Sequence, residues 1–261
     1  LQQLSKNFGI EEQFEATDVA VYFGEENVTQ PDPYFDGQGP ERTGCNFCGA
    51  CMTGCRNNSK NTLDKNYLHL AQKHGAEILA EQEVYNVVPI SKEDGSQGYE
   101  LSVKSSTKFF KNRKTIQANA VIFSGGVLGT VKLLLQLKRK SLPNLSNKLG
   151  EDIRTNNETL ISVSSLDKKK DFSKGIAIGS ILHADENSHL EICRYSEGSN
   201  AWKWVHFPYA TGKNVFFRVA KMFASLIKTP IQFFKIYFIN PWARSTVVLL
   251  FMQTLDSTIK L

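Results

Sequence analysis

Residues 120–138 read AVIFSGGVLGTVKLLLQLK, and the fold turns on how this stretch divides. Val121-Ile122-Phe123 is a short apolar run that reads as the end of a strand beginning near Thr115. Ser124, Gly125 and Gly126 supply a tight turn, and Leu133, Leu134, Leu135 and Leu137 beyond it predict a helix. A strand that passes through small residues into a helix leaves free backbone N–H groups and the positive end of the helix dipole at the turn. A phosphate fits such a place. A second reading stays open, in which the glycines only let helix and strand pack closely, because the full G-x-G-x-x-G fingerprint is missing.

Working outward, residues 77–90 and 98–105 read as two strands joined around Asp94-Gly95 and Gly98. Before them, Asn61 or Thr62 is placed to cap a helix with Leu63, Tyr67, Leu70 and Ala71 on one face and Gly75 as its stop. Val19 to Phe23 predicts a short buried strand. After the opening stretch, LISVSSL (160–166), GIAIGSIL (175–182) and HLEICRY (189–195) are strand candidates, and the lysine-rich 166–175 segment is a solvated hairpin tip. The chain thus predicts a mixed α/β protein of the α+β kind.

Residues 213–242 differ in character. Phe, Ile, Leu and Met alternate there with Arg218, Lys221, Lys228 and Lys235, and Pro230 interrupts the run. This is a basic amphipathic helix pair. Packing on a core, lying on a membrane surface and lining the mouth of an apolar pocket all accommodate it. No apolar run reaches the ~18 residues of a membrane span.

The least random stretch is GCNFCGACMTGC, residues 44–55. Cys45, Cys48, Cys51 and Cys55 have the spacing C-x2-C-x2-C-x3-C, with Gly44, Gly49 and Gly54 placed for left-handed turns. The spacing is that of a bacterial ferredoxin run, so a 4Fe-4S cluster is one expectation. Arg56 stands where that run has proline, and a lone cluster needs Cys55 to bend back or Cys193 to come from afar. Structural disulfides and buried thiols are the alternatives.

At 261 residues, 41% apolar and 22% charged, the chain has material for one large core or two modest ones. A net charge of +5, without basic runs interleaved with aromatics, gives no expectation of nucleic acid binding. Four cysteines in one loop argue against a secreted disulfide framework and for a reduced, cytoplasmic setting, with membrane association through 213–242 as a further expectation. His69, His74, His183, His189 and His206 form no metal-binding pattern. The opening LQQLSKNFGIEEQFEATDVAVYFG has neither a charged leader nor an apolar signal core, and the chain closes on a strand-like run. It reads as an internal piece of a longer protein.

Taken together, GPERTGCNFCGACMTGCRNNSKNTLDKNYLHLA, AVIFSGGVLGTVKLLLQLK, LPNLSNKLGEDIRTNNE and STVVLLFMQTLD resemble the steroid-oxidising, cholesterol oxidase-like branch of the glucose–methanol–choline (GMC) oxidoreductases, over nearly the whole chain and in the same order. The resemblance implies part of a Rossmann-type FAD-binding domain over 1–158, including the cysteine-rich loop 44–56, and part of an antiparallel-sheet substrate domain over 159–261. The family's N-terminal G-x-G-x-x-G and C-terminal catalytic histidine fall outside this chain, so no catalytic residue is assigned within it. By position, Val84 falls where the family offers its backbone to the adenine, Ser124, Gly125 and Gly126 match the turn that approaches FAD, and Asn156 lies near the loop beside the flavin. The glutamate that moves a double bond in the steroid oxidases falls close to Asn200, with Glu191 and Glu197 nearby. The implied activity is FAD-dependent oxidation of a secondary alcohol on a bulky apolar, steroid-like molecule, with oxygen or another electron acceptor. Two rivals are an iron–sulfur electron-transfer module centred on the cysteine run and a non-catalytic remnant of the fold.

Overall fold

The computed structural model of the chain describes residues 1–256 and 258–260. In chain order its elements are helix α1 (Gln2–Phe8), strands β1 (Phe14–Ala16), β2 (Thr29–Gln30) and β3 (Arg42–Thr43), helix α2 (Tyr67–Lys73), and strands β4 (Gln82–Pro89), β5 (Tyr99–Ser105) and β6 (Arg113–Ala118). Helix α3 (Val127–Lys138) follows, then strands β7 (Ile153–Arg154), β8 (Thr159–Ser164), β9 (Ile178–Asp185) and β10 (Ser188–Cys193). Helices α4 (Val215–Lys228), α5 (Pro230–Phe234) and α6 (Trp242–Ser245) precede strands β11 (Thr246–Gln253) and β12 (Thr258–Ile259). Helices and antiparallel sheets are thus mixed, as the sequence predicts. Packing divides the chain into two units, Leu1–His74 with Asn156–Leu255, and Gly75–Thr155 with the segment from Asp256 onward.

The larger unit is built on a five-stranded antiparallel sheet in the order β1-β9-β10-β11-β8. Alternation sets it: Thr246, Val248 and Leu250 of β11 are buried while their neighbours are less so. Register places Cys193 opposite Val248 and Val247 opposite Val163. Ala177, Cys193, Trp242, Ala243, Val248 and Leu250 form its apolar core. Beside the sheet, the β2–β3 ribbon carries a fully buried Arg42, whose guanidinium donates to the carbonyls of Pro40, Glu41 and Lys65 and to Asn61 Oδ1. A charge can sit there because polar acceptors surround it.

The smaller unit holds the β4-β5-β6 meander, with α3 against β4, and the β7–β12 ribbon. Turns at Gly95 and Gly98 have φ of 73° and 88°, as the strand–turn–strand reading requires. Val87, Val103 and Leu137 are buried, and Ser141 Oγ donates to the Val87 carbonyl at 2.6 Å.

Three local expectations are corrected. The strand expected to run through Val121-Ile122-Phe123 ends at Ala118, and Ile122 is 90% exposed. A buried strand needs hydrogen-bonding neighbours, and among the described residues none lies beside 121–123. The helix expected from Asn61 or Thr62 breaks into a 3-10 turn, Leu63–Lys65, and α2, whose cap is Asn66. Asn61 is instead held by Arg42. Val19–Phe23 makes only one isolated bridge, Val21 to Lys60, and Phe23 is exposed against Phe47.

Candidate flavin cleft, apolar pocket and cysteine loop

In the smaller unit, β4 and the turn before α3 enclose a cleft of about 630 Å³. Val84, Ser124 and Gly125 all line it, although 40 residues separate the first two, and Tyr85, Lys104, Thr130 and Lys132 line it with them. Gly126 caps α3 at φ 86°, ψ 149°, a backbone conformation open essentially to glycine alone. No side chain caps this helix end, so its first amides have no intrahelical acceptor. A Cβ added at Gly126 or Gly129 would meet nothing within 4 Å, which leaves room for a ligand to approach the backbone. Lys104 pairs with Glu83 at 3.1 Å and lies over the Tyr85 ring, where Arg113 also sits. The cleft therefore joins an uncapped helix N-terminus, an aromatic face and cationic side chains. That donor set fits an adenine nucleotide with a pyrophosphate. Asn156 falls in the other unit, where its amide donates to Glu158 at 2.8 Å and its carbonyl accepts from Gln253.

In the larger unit, a pocket of about 510 Å³ lies over the β8 and β11 face. Leu160, Ile161 and Val248 come from the strands, while Leu226, Phe233 and Tyr237 come from the helical segment 215–239. Trp202 and Trp242 close it through rings 5.8 and 5.6 Å from Tyr195. Its lining mixes aromatic and aliphatic side chains with polar ones, among them Ser162, Ser164, Lys203, Thr229 and Gln232. The His206 ring lies tilted beside that of Trp242, 5.2 Å between centroids, and its Nδ1 bonds the Trp202 carbonyl at 2.7 Å. A carbonyl only accepts, so Nδ1 carries the proton and Nε2 of the neutral ring is left as an acceptor. The Tyr237 hydroxyl donates to the His206 carbonyl, and burial raises its pKa.

Sequence reasoning missed His206 and Tyr237. The dense aromatic run WKWVHFPY at 202–209 was the available signal. None of the described lining residues is Asp or Glu. Asn200 accepts from the Ala243 amide and donates to the Glu197 carbonyl, tying α6 to the preceding loop.

The cysteine loop also belongs to the larger unit. Gly49 and Gly54 have φ of 70° and 109°, as expected, but Gly44 does not; it is small because the Glu25 carbonyl presses on it. The Gly175 amide donates to the Phe47 carbonyl at 2.6 Å and Lys60 Nζ to the Cys51 carbonyl at 3.0 Å, which pins the loop. Cys45, Cys48, Cys51 and Cys55 line one pocket, and all are free thiols, as is Cys193. That pocket holds only about 10 Å³, the room of a single water. Among the described residues no group of three or more His, Cys, Asp or Glu is arranged to hold a metal ion. In this arrangement the loop does not fit an iron–sulfur cluster. Burial raises the Cys45 pKa and takes Cys193, fully buried, to about 11. At Cys55 burial also pushes upward, but the amides of Lys60, Ser59 and Asn57 with the Ser59 hydroxyl outweigh it and leave the pKa lowered.

Residues 39–142 match the GMC oxidoreductase family. The whole chain is 42% identical over 268 residues to a cholesterol oxidase of Acinetobacter baumannii, covering 48% of that protein. Over 271 residues, 99% of the chain, it is 34% identical to a cholesterol oxidase of Mycobacterium tuberculosis H37Rv, covering 46% of it. The chain thus spans about half the length of these relatives. No solved structure matches it.

Proposed function

Because the chain belongs to the GMC oxidoreductase family, we propose that it is part of an FAD-dependent oxidoreductase that oxidises a secondary alcohol on a bulky, apolar, steroid-like molecule. The observation that carries this reading is the single cleft lined by Val84, Ser124 and Gly125 beside the uncapped glycine end of α3. The relatives' name, cholesterol oxidase, supports the substrate class.

When bound, FAD would supply the two-electron oxidation of the alcohol carbon, with oxygen or another acceptor as the electron sink. This chain's residues supply the binding. The β4 backbone at Val84 would hold the adenine, and the amides following Gly126, with Lys132, would hold the pyrophosphate. The cleft falls within the flavin part put at 1–158, and the apolar pocket within the substrate part put at 159–261. In the pocket, the aromatic walls take an apolar ring system, and His206 Nε2 accepts a hydroxyl proton in a hydrogen bond. With Asn200 engaged in structure and no carboxylate among the described lining residues, the unrearranged ketone is the expected product. Asn156 lines neither the cleft nor the apolar pocket. The reading needs FAD alone; a 4Fe-4S cluster on Cys45, Cys48, Cys51 and Cys55 is no part of it.

Titration of the protein with FAD, followed by flavin fluorescence and with iron analysis of the same sample, tests this. Saturable quenching, weakened at least tenfold by Gly129→Leu and unaccompanied by iron, is expected. Unsaturable binding, or a Gly129→Leu protein that binds as well as the native one, would overturn the reading. Stoichiometric iron would return the cysteine loop to an electron-transfer role.

A further inference from the structure

Helices α4 and α5 turn apolar side chains away from the protein. Phe216, Val219, Phe223 and Ile227 recur at i, i+3, i+7 and i+11 and are 85, 43, 56 and 80% exposed. These spacings put them in one stripe along α4. Beyond Pro230, Ile231, Phe234 and Phe238 repeat the pattern with 70, 55 and 57% exposure. Only the edge of α4 at Leu226 and Ser225 reaches the pocket below. A soluble surface seldom leaves so many large apolar residues contiguous without something to cover them.

The charge pattern says what covers them. From Gly198 to Leu255 the sequence has no Asp or Glu, while Arg218, Lys221, Lys228 and Lys235 lie within the helical segment itself. On α4, Arg218, Lys221, Ser225 and Lys228 occupy the arc opposite the Phe216–Ile227 stripe, so the helix pairs an apolar face with a cationic one. Trp204 sits at the end of this patch, 5.9 Å from Phe238 and 56% exposed, with Lys203 over its ring. A second copy of the same patch would meet it with like charge, whereas anionic headgroups meet it with opposite charge and acyl chains accept the phenylalanines. Among the described residues no helix is long and apolar enough to cross a membrane, so the contact is one of lying on the surface.

From this we infer that the outward faces of α4 and α5 dock the protein on an anionic lipid bilayer. The inference stands on the helices and does not depend on the flavin reading.

Sedimentation of the protein with vesicles of phosphatidylcholine, with and without phosphatidylserine, tests it. Binding is expected to be strong only with phosphatidylserine and to fall as NaCl rises. Lys221→Gln with Lys228→Gln should weaken it about thirtyfold, two contributions of about 1 kcal/mol each. These side chains are exposed, so the variant should keep the native circular dichroism. Phe216→Ser with Phe223→Ser should abolish binding. Failure to bind vesicles containing phosphatidylserine would overturn the inference, as would binding indifferent to lipid charge and to the lysine variant. A concentration-dependent dimer that excludes vesicles and that Phe223→Ser dissociates would give the face to a second copy instead.

Discussion

At the scale of single residues, the five cysteines carry the sharpest contrast, because the four of the loop and Cys193 of β10 are thiols with different surroundings. Thiolate, not thiol, reacts with alkylating agents. Cys193 is fully buried with a pKa pushed up to about 11, so at pH 8 about one molecule in a thousand carries its thiolate, even before access is counted. Cys55 is partly exposed and lowered by the amides around it. Iodoacetamide followed by peptide mass spectrometry should therefore mark Cys55 first, Cys45 later and Cys193 only on unfolding; early labelling of Cys193 would contradict its burial. Asp32 gives a pH dependence. Burial alone would raise its pKa, but the amides of Tyr34, Gly39 and Phe35, at 3.0, 2.9 and 2.7 Å, and the nearby Arg42 lower it. A carboxyl depressed by folding adds stability in full above its unfolded pKa, near 3.9, and loses it as pH falls through the folded value. Urea denaturation of Asp32→Asn should show a deficit at pH 6 that shrinks below about pH 4; a deficit constant with pH would mean the carboxylate charge is not what the amides hold.

At the scale of elements, α3 links stability to the site. Leu137 is buried and Leu128 is 78% exposed on the same helix, the first beside β4 and the second at the glycine end. Leu137→Ala should destabilise the smaller unit by about 2–5 kcal/mol, and since α3 carries one wall of the cleft, FAD affinity should fall with it. Leu128→Ala should leave stability within about 0.5 kcal/mol. Thermal melts of the two variants decide the matter; equal losses would mean that α3 does not pack as described. The same element shows what the sequence made legible. Apolar runs bounded by turn residues located α3, the β4–β5 hairpin and the β8 to β11 strands, because composition and turn chemistry are written locally in the chain. The turn at Ser124–Gly126 could be read because glycine at φ 86° has few substitutes. What could not be read was pairing. Val121–Phe123 has strand composition, yet a strand is a relation between two segments, and no neighbour stands beside it among the described residues. The apolar pocket was hidden for a similar reason, since His206 and Tyr237 are 31 residues apart and only folding sets one against the other. The cysteine spacing was legible as a pattern and misleading as geometry: backbone contacts to Gly175 and Lys60 hold the loop around a space too small for a cluster.

At the scale of the whole chain, the two units rest on unequal cores. The larger has a cluster around Trp242, Cys193 and Val248, whereas the buried apolar residues of the smaller are Val87, Val103 and Leu137 among those described. Stability follows buried apolar area, and a small core leaves little margin over the entropy of ordering the chain. Calorimetry should accordingly resolve two transitions, with the lower belonging to Gly75–Thr155. Hydrogen exchange would assign it, with β4 to β6 losing protection before β8 to β11. The cleft lies wholly in this weaker unit, so a ligand there must act on the lower transition alone. FAD at a hundredfold excess over its dissociation constant stabilises its host by about 2.7 kcal/mol, and for a unit of this size that moves the midpoint by about 10–20 °C. The upper transition should not move. A shift of both transitions together would show that the units unfold as one cooperative block, and a shift of the upper transition alone would put the nucleotide in the larger unit, away from Val84 and Ser124.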